Sequence, residues 1–224
     1  AEDGIRDIGV TGVQTCALPI CGLAAVATSG SAADLSGALA DARLSANVVL
    51  ASTLTTQLFG SSSVVDALPR IYAVGSITAN SGQVLLVFFT PLQNVTISQI
   101  SMATPATGTV ASGLTLCRMG LYTYTDAGTA TLVARTASDT SLFAATNTVY
   151  TRSLDTTGGY PATYTLTAGV RYGAGYIGVG TTQPQVTGRT VNSVTAGLSP
   201  RLSGASGTVS DLPASFVPTI NSQA

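Results

Sequence analysis

The chain has 224 residues, with nine basic residues against ten acidic ones, a formal net charge of -1, and neither His nor Trp. This near-neutrality removes the electrostatic footprint of a nucleic-acid-binding protein or a polybasic membrane surface, so no nucleic-acid partner is expected. Because the sequence contains no Lys either, it excludes Ser-His-Asp, Cys-His, Ser-Lys and Schiff-base catalysis in their usual forms.

The first 20 residues, AEDGIRDIGVTGVQTCALPI, differ in character from the Thr-, Ala- and Gly-rich sequence that follows and contain the only Glu of the chain. Written back into codons, residues 1–7 and 10–20 resemble the indexed adapter of a short-read sequencing library, with Ile8 and Gly9 in place of the sample index. We therefore expect residues 1–20 to be a disordered artefact and exclude them from the fold. The gene is expected to be a fragment truncated upstream of Cys21.

The stretch CALPICGLAAVA (residues 16–27) resembles the apolar core of a secretion signal with a lipid-attached Cys21. Nearly half of this stretch belongs to the adapter-like segment, so it carries little weight as a signal. No other stretch approaches the roughly 20 apolar residues of a membrane span, and no membrane insertion is expected.

Residues 21–66 form a first region with no aromatic residue except Phe59. Leu35, Leu39 and Leu44 fit neither a helical nor a strand period, so a lone chain could bury little here. Thin apolar rows between small residues are better buried when identical chains share one axis. We therefore predict a shaft-like segment, followed by a linker that begins at the turn-forming residues 59–63.

Residues 67–224 are predicted to form one all-β domain, a sandwich or barrel, because short β-type runs alternate with turn residues. A phase slip among the apolar positions of residues 95–102 predicts a β-bulge near Ser98 and Gln99. Asp126-Ala127-Gly128 between two runs predicts a hairpin. The predicted strands occupy residues 82–90, 95–102, 114–124, 129–136, 148–154, 163–167 and 170–180.

Three further features of this domain are predicted. Glycines alternate with Val170, Tyr172, Ala174 and Tyr176, which leaves one face of that strand bare and open to close approach by another sheet or chain. Residues 137–145 favour a short helical turn. Most of residues 181–214 is loop-like, and Pro218 would confine a last strand at residues 215–220 to a sheet edge.

The domain offers five carboxylates but little other catalytic chemistry. A glycosidase could use two carboxylates, yet each Asp lies in turn-like sequence, where Asp is favoured for local hydrogen bonding. Two Cys beyond residue 20 and no His cannot supply an ordinary zinc site. We predict no enzymatic activity, no cofactor and no metal. The five residues are Asp66, Asp126, Asp139, Asp155 and Asp211.

Binding is better supported than catalysis. Tyr160 lies in the turn Gly-Gly-Tyr-Pro, where an aromatic ring has little core to cover and could stack on a sugar ring. Asp126 and Asp155, in turns of the same domain, complete the candidate binding residues, since carboxylates could bond sugar hydroxyls. Four strand tyrosines are instead expected to cover the rim of the core, namely Tyr122, Tyr124, Tyr172 and Tyr176.

Several stretches resemble bacteriophage tail-fibre and minor tail proteins, particularly those of phages that infect actinobacteria. DLSGALADARLSANVVL (residues 34–50) is similar to shaft segments that precede fibre heads. Residues 116–154 and 163–180 resemble the jelly-roll-like terminal domains of those fibres, and DLPASF (residues 211–216) resembles their closing segment. The resemblance implies a jelly-roll-like antiparallel β-sandwich at residues 67–224 behind a trimerising segment at residues 21–66.

The resemblance also implies a function. It indicates a homotrimeric virion protein that contacts other tail proteins and adheres to a glycan or protein receptor on the host cell. A carbohydrate-binding module of a bacterial secreted enzyme is the alternative, and a depolymerase that uses two Asp residues is a second rival. No receptor-binding residue is carried over from the family.

Overall fold

The computed structural model describes residues 64–125, 128–192, 194–195 and 198–223. The expectations for residues 1–20, for the shaft up to residue 63 and for Asp126 lie outside the described residues. The strands are β1 (Gly75–Thr78), β2 (Gln83–Phe89), β3 (Val95–Ile97), β4 (Gln99–Ala103), β5 (Ser112–Tyr124), β6 (Ala130–Arg135), β7 (Val149–Ser153), β8 (Tyr164–Leu166), β9 (Tyr172–Thr182), β10 (Gln185–Gly188), β11 (Ser203–Thr208), β12 (Ser215–Phe216) and β13 (Thr219–Ile220).

The described residues form an antiparallel β-sandwich, which confirms the predicted fold class. One layer is a seven-stranded sheet in the order β12-β6-β5-β9-β2-β11-β13. The other layer consists of the two-stranded ladders β1-β10, β3-β8 and β4-β7. From β2 to β11 the chain passes back and forth between the sheet and the ladders, as in a jelly roll.

A hydrophobic core fills the space between the two layers. Ile100 and Leu166 from the ladders are buried in the same cluster as Met119 and Tyr176 from the sheet. Phe143 is fully buried, and its ring meets that of Tyr176 edge to face at 5.5 Å. It belongs to a hydrogen-bonded turn rather than a helix, so residues 137–145 form a turn as predicted, but not a helical one.

Cys117 lies in the same core and is fully buried. Burial raises the pKa of its thiol to about 12, and the nearby Asp139 adds to the effect. Cys117 is therefore a small buried hydrophobe rather than a reactive thiol.

A second cluster lies on the opposite face of the seven-stranded sheet. It contains Leu86 and Phe88 of β2, Tyr122 of β5 and Ile177 of β9, and Leu212 covers them. The bare face of β9 belongs to this cluster: Gly175 lies opposite Leu86, and a Cβ there would come within 1.8 Å of the Leu85 carbonyl oxygen. The prediction named another sheet or chain, but among the described residues the close contact at Gly175 is made by the neighbouring strand β2.

Local predictions for the strands have mixed outcomes. The predicted β-bulge near Ser98 and Gln99 is a bend at Ser98 instead, because the strand breaks there into β3, which pairs with β8, and β4, which pairs with β7. The β5-β6 hairpin is confirmed by its register. The core-rim prediction is wrong for the three buried tyrosines, whose side chains lie inside the two clusters: Tyr122, Tyr172 and Tyr176.

Three strands were not predicted, namely β1, β10 and β11. The stretch with the sequence SGASGT, β11, pairs with β2 although it contains no large side chain. No helix within the described ranges is long and apolar enough to cross a membrane.

Candidate functional site

Two of the predicted binding residues lie in one polar group of side chains at the second cluster. We call Arg118, Arg135, Asp155, Tyr160 and Asp211 the Tyr160 cluster. Arg135 is the central residue of this cluster, because its guanidinium contacts both carboxylates and the tyrosine ring. The third predicted binding residue, Asp126, lies outside the described residues.

The two arginines project from neighbouring strands of the seven-stranded sheet. Arg135 pairs with Gly120 in the β5-β6 register, and Arg118 lies two residues before Gly120, so their side chains share one face of the sheet. A Cβ at Gly120 would meet Leu212 at 2.7 Å, which identifies this face as the one that carries the second cluster. Loops that flank the sheet supply Asp155, Tyr160 and Asp211.

The turn after β7 holds Tyr160 against Arg135. The Arg135 guanidinium lies 4.7 Å from the centre of the Tyr160 ring, a cation-π geometry. Its Nη2 donates to the Thr157 carbonyl oxygen at 3.2 Å. Gly158 has a φ of +77°, which favours glycine at this position of the turn.

Asp155 fixes the start of the same turn. Its carboxylate accepts hydrogen bonds from the Thr157 amide at 3.0 Å and from the Thr157 hydroxyl, and its Oδ2 lies 3.6 Å from Arg135 Nε. The hydrogen bonds from the Thr157 side chain and backbone hold the pKa of Asp155 below its ordinary value, and Arg135 contributes less. Asp155 is therefore a turn-forming residue, as its sequence context predicts.

Asp211 lies between the two arginines. Its Oδ1 is 3.3 Å from Arg118 Nε, and its Oδ2 is 4.0 Å from Arg135 Nη1. Its Oδ1 also accepts a hydrogen bond from the Leu212 amide at 2.7 Å. Asp211 therefore partly balances the charge of both arginines, while its shortest contact is the hydrogen bond from the adjacent Leu212 amide.

The other described carboxylates lie outside the Tyr160 cluster. Asp139 accepts hydrogen bonds from the Ser141 amide and hydroxyl and from Nε and Nη2 of Arg152 at 2.9 and 2.6 Å. It is thus a second turn-forming aspartate with a well-formed ion pair. Asp66 lines a cavity of about 790 Å³ between the layers, with apolar residues such as Leu85, Met102 and Val186, and no member of the Tyr160 cluster lines that cavity.

The Tyr160 cluster combines an aromatic ring with charged side chains. Asp155, with its lowered pKa, is ionised at neutral pH and so is a poor general acid. Among the described residues, no group of three or more Cys, Asp or Glu side chains is arranged to hold a metal ion. An aromatic ring beside paired charges instead offers a surface for a polar ligand.

Sequence reasoning missed Arg118, Arg135 and Asp211 as members of the site. A signal was present, since Arg118 lies in the apolar run of residues 114–124 and Arg135 ends the run of residues 129–135. An arginine inside a buried strand requires a charged or hydrogen-bonding partner.

Comparison with known proteins adds no assignment. No protein-family model matches the chain, and no curated protein is significantly similar to it.

Proposed function

We propose that the protein is a non-catalytic virion component of a phage tail fibre, which adheres to a glycan on the host cell surface through the Tyr160 cluster. The observation that supports adhesion is the position of Tyr160, half-buried in a turn, with one side of its ring against Arg135. A ring held in place by a guanidinium and flanked by carboxylates suits stacking on a sugar whose hydroxyls need partners.

The assignment to a tail fibre rests on the resemblance of residues 116–154 and 163–180, and the jelly-roll-like sandwich of the described residues is compatible with it. A homotrimer, contacts with other tail proteins and a location in the virion belong to the same proposal. Three weak glycan sites on one trimer would gain avidity without any new contact.

The test is binding of the full chain to cell-envelope polysaccharides of actinobacteria and to the cells themselves. Tyr160→Ala should weaken binding about tenfold, which corresponds to one lost stacking contact of about 1.4 kcal/mol. Tyr160→Phe should retain most of it, because the ring remains. The control is Tyr72→Ala, since Tyr72 is an exposed tyrosine, 59% accessible, that is not part of the Tyr160 cluster.

Unchanged binding of Tyr160→Ala would overturn the assignment of the site. If the full chain shortens an envelope polysaccharide and Asp155→Asn abolishes this, the protein is a depolymerase and the non-catalytic proposal fails. The DNA upstream of the codon for Cys21 provides an independent test. Tail-assembly genes there support the virion assignment, whereas an upstream enzyme domain supports the carbohydrate-binding-module alternative.

A further inference from the structure

The position between Arg118 and Arg135 is suited to an anion, and the carboxylate of Asp211 fills it poorly. A charge-assisted hydrogen bond from a guanidinium to a carboxylate is typically about 2.7–2.9 Å long. The two contacts of Asp211 are 3.3 and 4.0 Å. By comparison, Arg152 makes contacts of 2.9 and 2.6 Å with Asp139 in the same domain.

Two buried donors of Arg118 are left without hydrogen-bond partners at this position, namely its Nε and Nη1. Nε of Arg135 also has no hydrogen-bond partner, but it faces Asp155 at 3.6 Å rather than Asp211. The Arg118 side chain is only 11% exposed and that of Arg135 only 17%. Leaving buried guanidinium donors unpaired is energetically unfavourable, so an acceptor in a better position would bind here favourably.

Of the two carboxylates in the Tyr160 cluster, Asp211 is the one that can leave. Its side chain is 38% exposed, against 11% for Asp155. Asp155 is held by two hydrogen bonds from Thr157, whereas the hydrogen bond to Asp211 comes from the adjacent Leu212 amide. Rotation of Asp211 into solvent would uncover the arginines and leave two positive charges against one negative charge.

We propose that Arg118 and Arg135 form a subsite for the carboxylate or phosphate group of an acidic cell-surface glycan, and that Asp211 occupies this subsite when the ligand is absent. The glycan context rests on the proposed function, while the anion subsite rests on the geometry of the two arginines. An incoming anion would restore charge balance and accept hydrogen bonds from the unpaired Arg118 donors. The Tyr160 ring, against Arg135, would then lie beside the sugar that carries the anion.

The test measures binding of small probes to the full chain by NMR or calorimetry, with glycerol phosphate and glucuronate as the two anions and glucose as the neutral control. Asp211→Asn should bind the favoured anion about tenfold more tightly than wild type, because the competing internal charge is gone. Arg118→Gln in the Asp211→Asn background should abolish this gain. Arg152→Gln in the same background is the matched control and should leave the gain intact.

A preference for glycerol phosphate identifies a phosphate polymer, and a preference for glucuronate identifies a uronic-acid polymer; either supports the proposal. The proposal is overturned if Asp211→Asn binds neither anion more tightly than wild type, or if Arg152→Gln removes the gain as fully as Arg118→Gln does. Circular dichroism checks whether each arginine variant folds. If one does not fold, the affinity of Asp211→Asn for the two anions, compared with that of wild type, decides whether the proposal stands.

The adhesion function and the anion subsite can be disproved independently of each other. If the chain binds cells through Tyr160 but the anions do not compete, only the subsite is wrong. If the anions bind at Arg118 but no cell surface or polysaccharide is bound, the adhesion function is wrong and the subsite stands.

Discussion

Phe216 and Thr219 are three residues apart in the sequence, yet they lie in the two opposite edge strands, β12 and β13, of the same seven-stranded sheet. Phe216 pairs with Ala130 of β6, and Thr219 pairs with Ala205 of β11. Six steps of about 4.8 Å would separate the edges of a flat sheet by roughly 29 Å, but three residues span at most about 11 Å. The sheet must therefore curl around the second cluster until its two edges approach each other, and residues 215–220 join them.

The joining segment depends on a close contact at Gly204. A Cβ at this position would lie 2.6 Å from the Cβ of Pro218 and 3.2 Å from the Phe88 ring. We therefore expect Gly204→Ala to push Pro218 away and to lower the free energy of unfolding by about 1–3 kcal/mol, the usual effect of overpacking. Urea denaturation measures the loss, and faster hydrogen exchange at residues 215–220 would locate it.

Gly207→Ala is the matched control for Gly204→Ala. Gly207 lies on the same strand, β11, and a Cβ there meets nothing within 4 Å. Its effect on the free energy of unfolding should stay within about 0.5 kcal/mol. Equal losses in the two variants would show that the loss at Gly204 does not come from the contact with Pro218, because the backbone-entropy effect of replacing Gly by Ala is itself stabilising.

The sequence predicts the sandwich because its large β-branched and aromatic residues are concentrated in strands of the core. For this reason the sequence predicts the core strands β2, β5 and β9. It also predicts an interruption near Ser98, where the periodicity of the apolar residues shifts by one position. By contrast, β11 has only Ser, Gly, Ala and Thr. It is a strand because Gly204 leaves room for Pro218 and Phe88, a tertiary reason that no local pattern reveals.

The candidate site was only partly predictable for a related reason. Tyr160 and Asp155 stand out because they lie in a turn, where side chains are free of strand periodicity. Asp211 is separated from Arg118 by 93 positions, and their contact depends on the path of residues 209–216 across the curled sheet. Sequence reasoning could have marked Arg118 as a buried charge in need of a partner, but it could not have chosen the partner.

Two buried tyrosines of the same sheet provide a test of how hydroxyl groups contribute to stability. The hydroxyl of Tyr176 accepts a hydrogen bond from the buried Ala79 amide at 3.0 Å, whereas that of Tyr122 has no partner although the side chain is fully buried. Tyr176→Phe should therefore cost about 1–3 kcal/mol, because it leaves the Ala79 amide unpaired. Tyr122→Phe should be neutral or stabilising, since it removes an unpaired polar group and keeps the ring against Phe216.

Chemical denaturation of the two variants under identical conditions measures this difference. A loss in Tyr122→Phe as large as that in Tyr176→Phe would mean that the Tyr122 hydroxyl is hydrogen-bonded in solution. Water bound inside the second cluster would be the first partner to examine.

The ion pair of Asp139 and Arg152 should make the stability of the domain depend on acidic pH. Partial burial acts to raise the pKa of Asp139, but the hydrogen bonds from Ser141 and Arg152 outweigh it and lower the pKa below its ordinary value of 3.8. Since the folded pKa lies below the unfolded one, the contribution of the ionised carboxylate is fully present above about pH 4 and is lost as the pH falls through the folded pKa. Asp139→Asn should thus lower the free energy of unfolding at pH 7 by about 1–3 kcal/mol.

The difference between wild type and Asp139→Asn should shrink steadily below pH 4, because the protonated wild-type side chain also carries no charge. Thermal unfolding of both proteins between pH 2 and pH 7 measures this difference in stability. Ser141→Ala is the control variant, since it removes the hydroxyl that donates at 2.6 Å and keeps the Ser141 amide and Arg152 contacts, so it should show a smaller loss with the same pH trend. A difference that stays constant down to pH 2 would contradict a stabilising role for the charge and assign the loss to the shape of the turn alone.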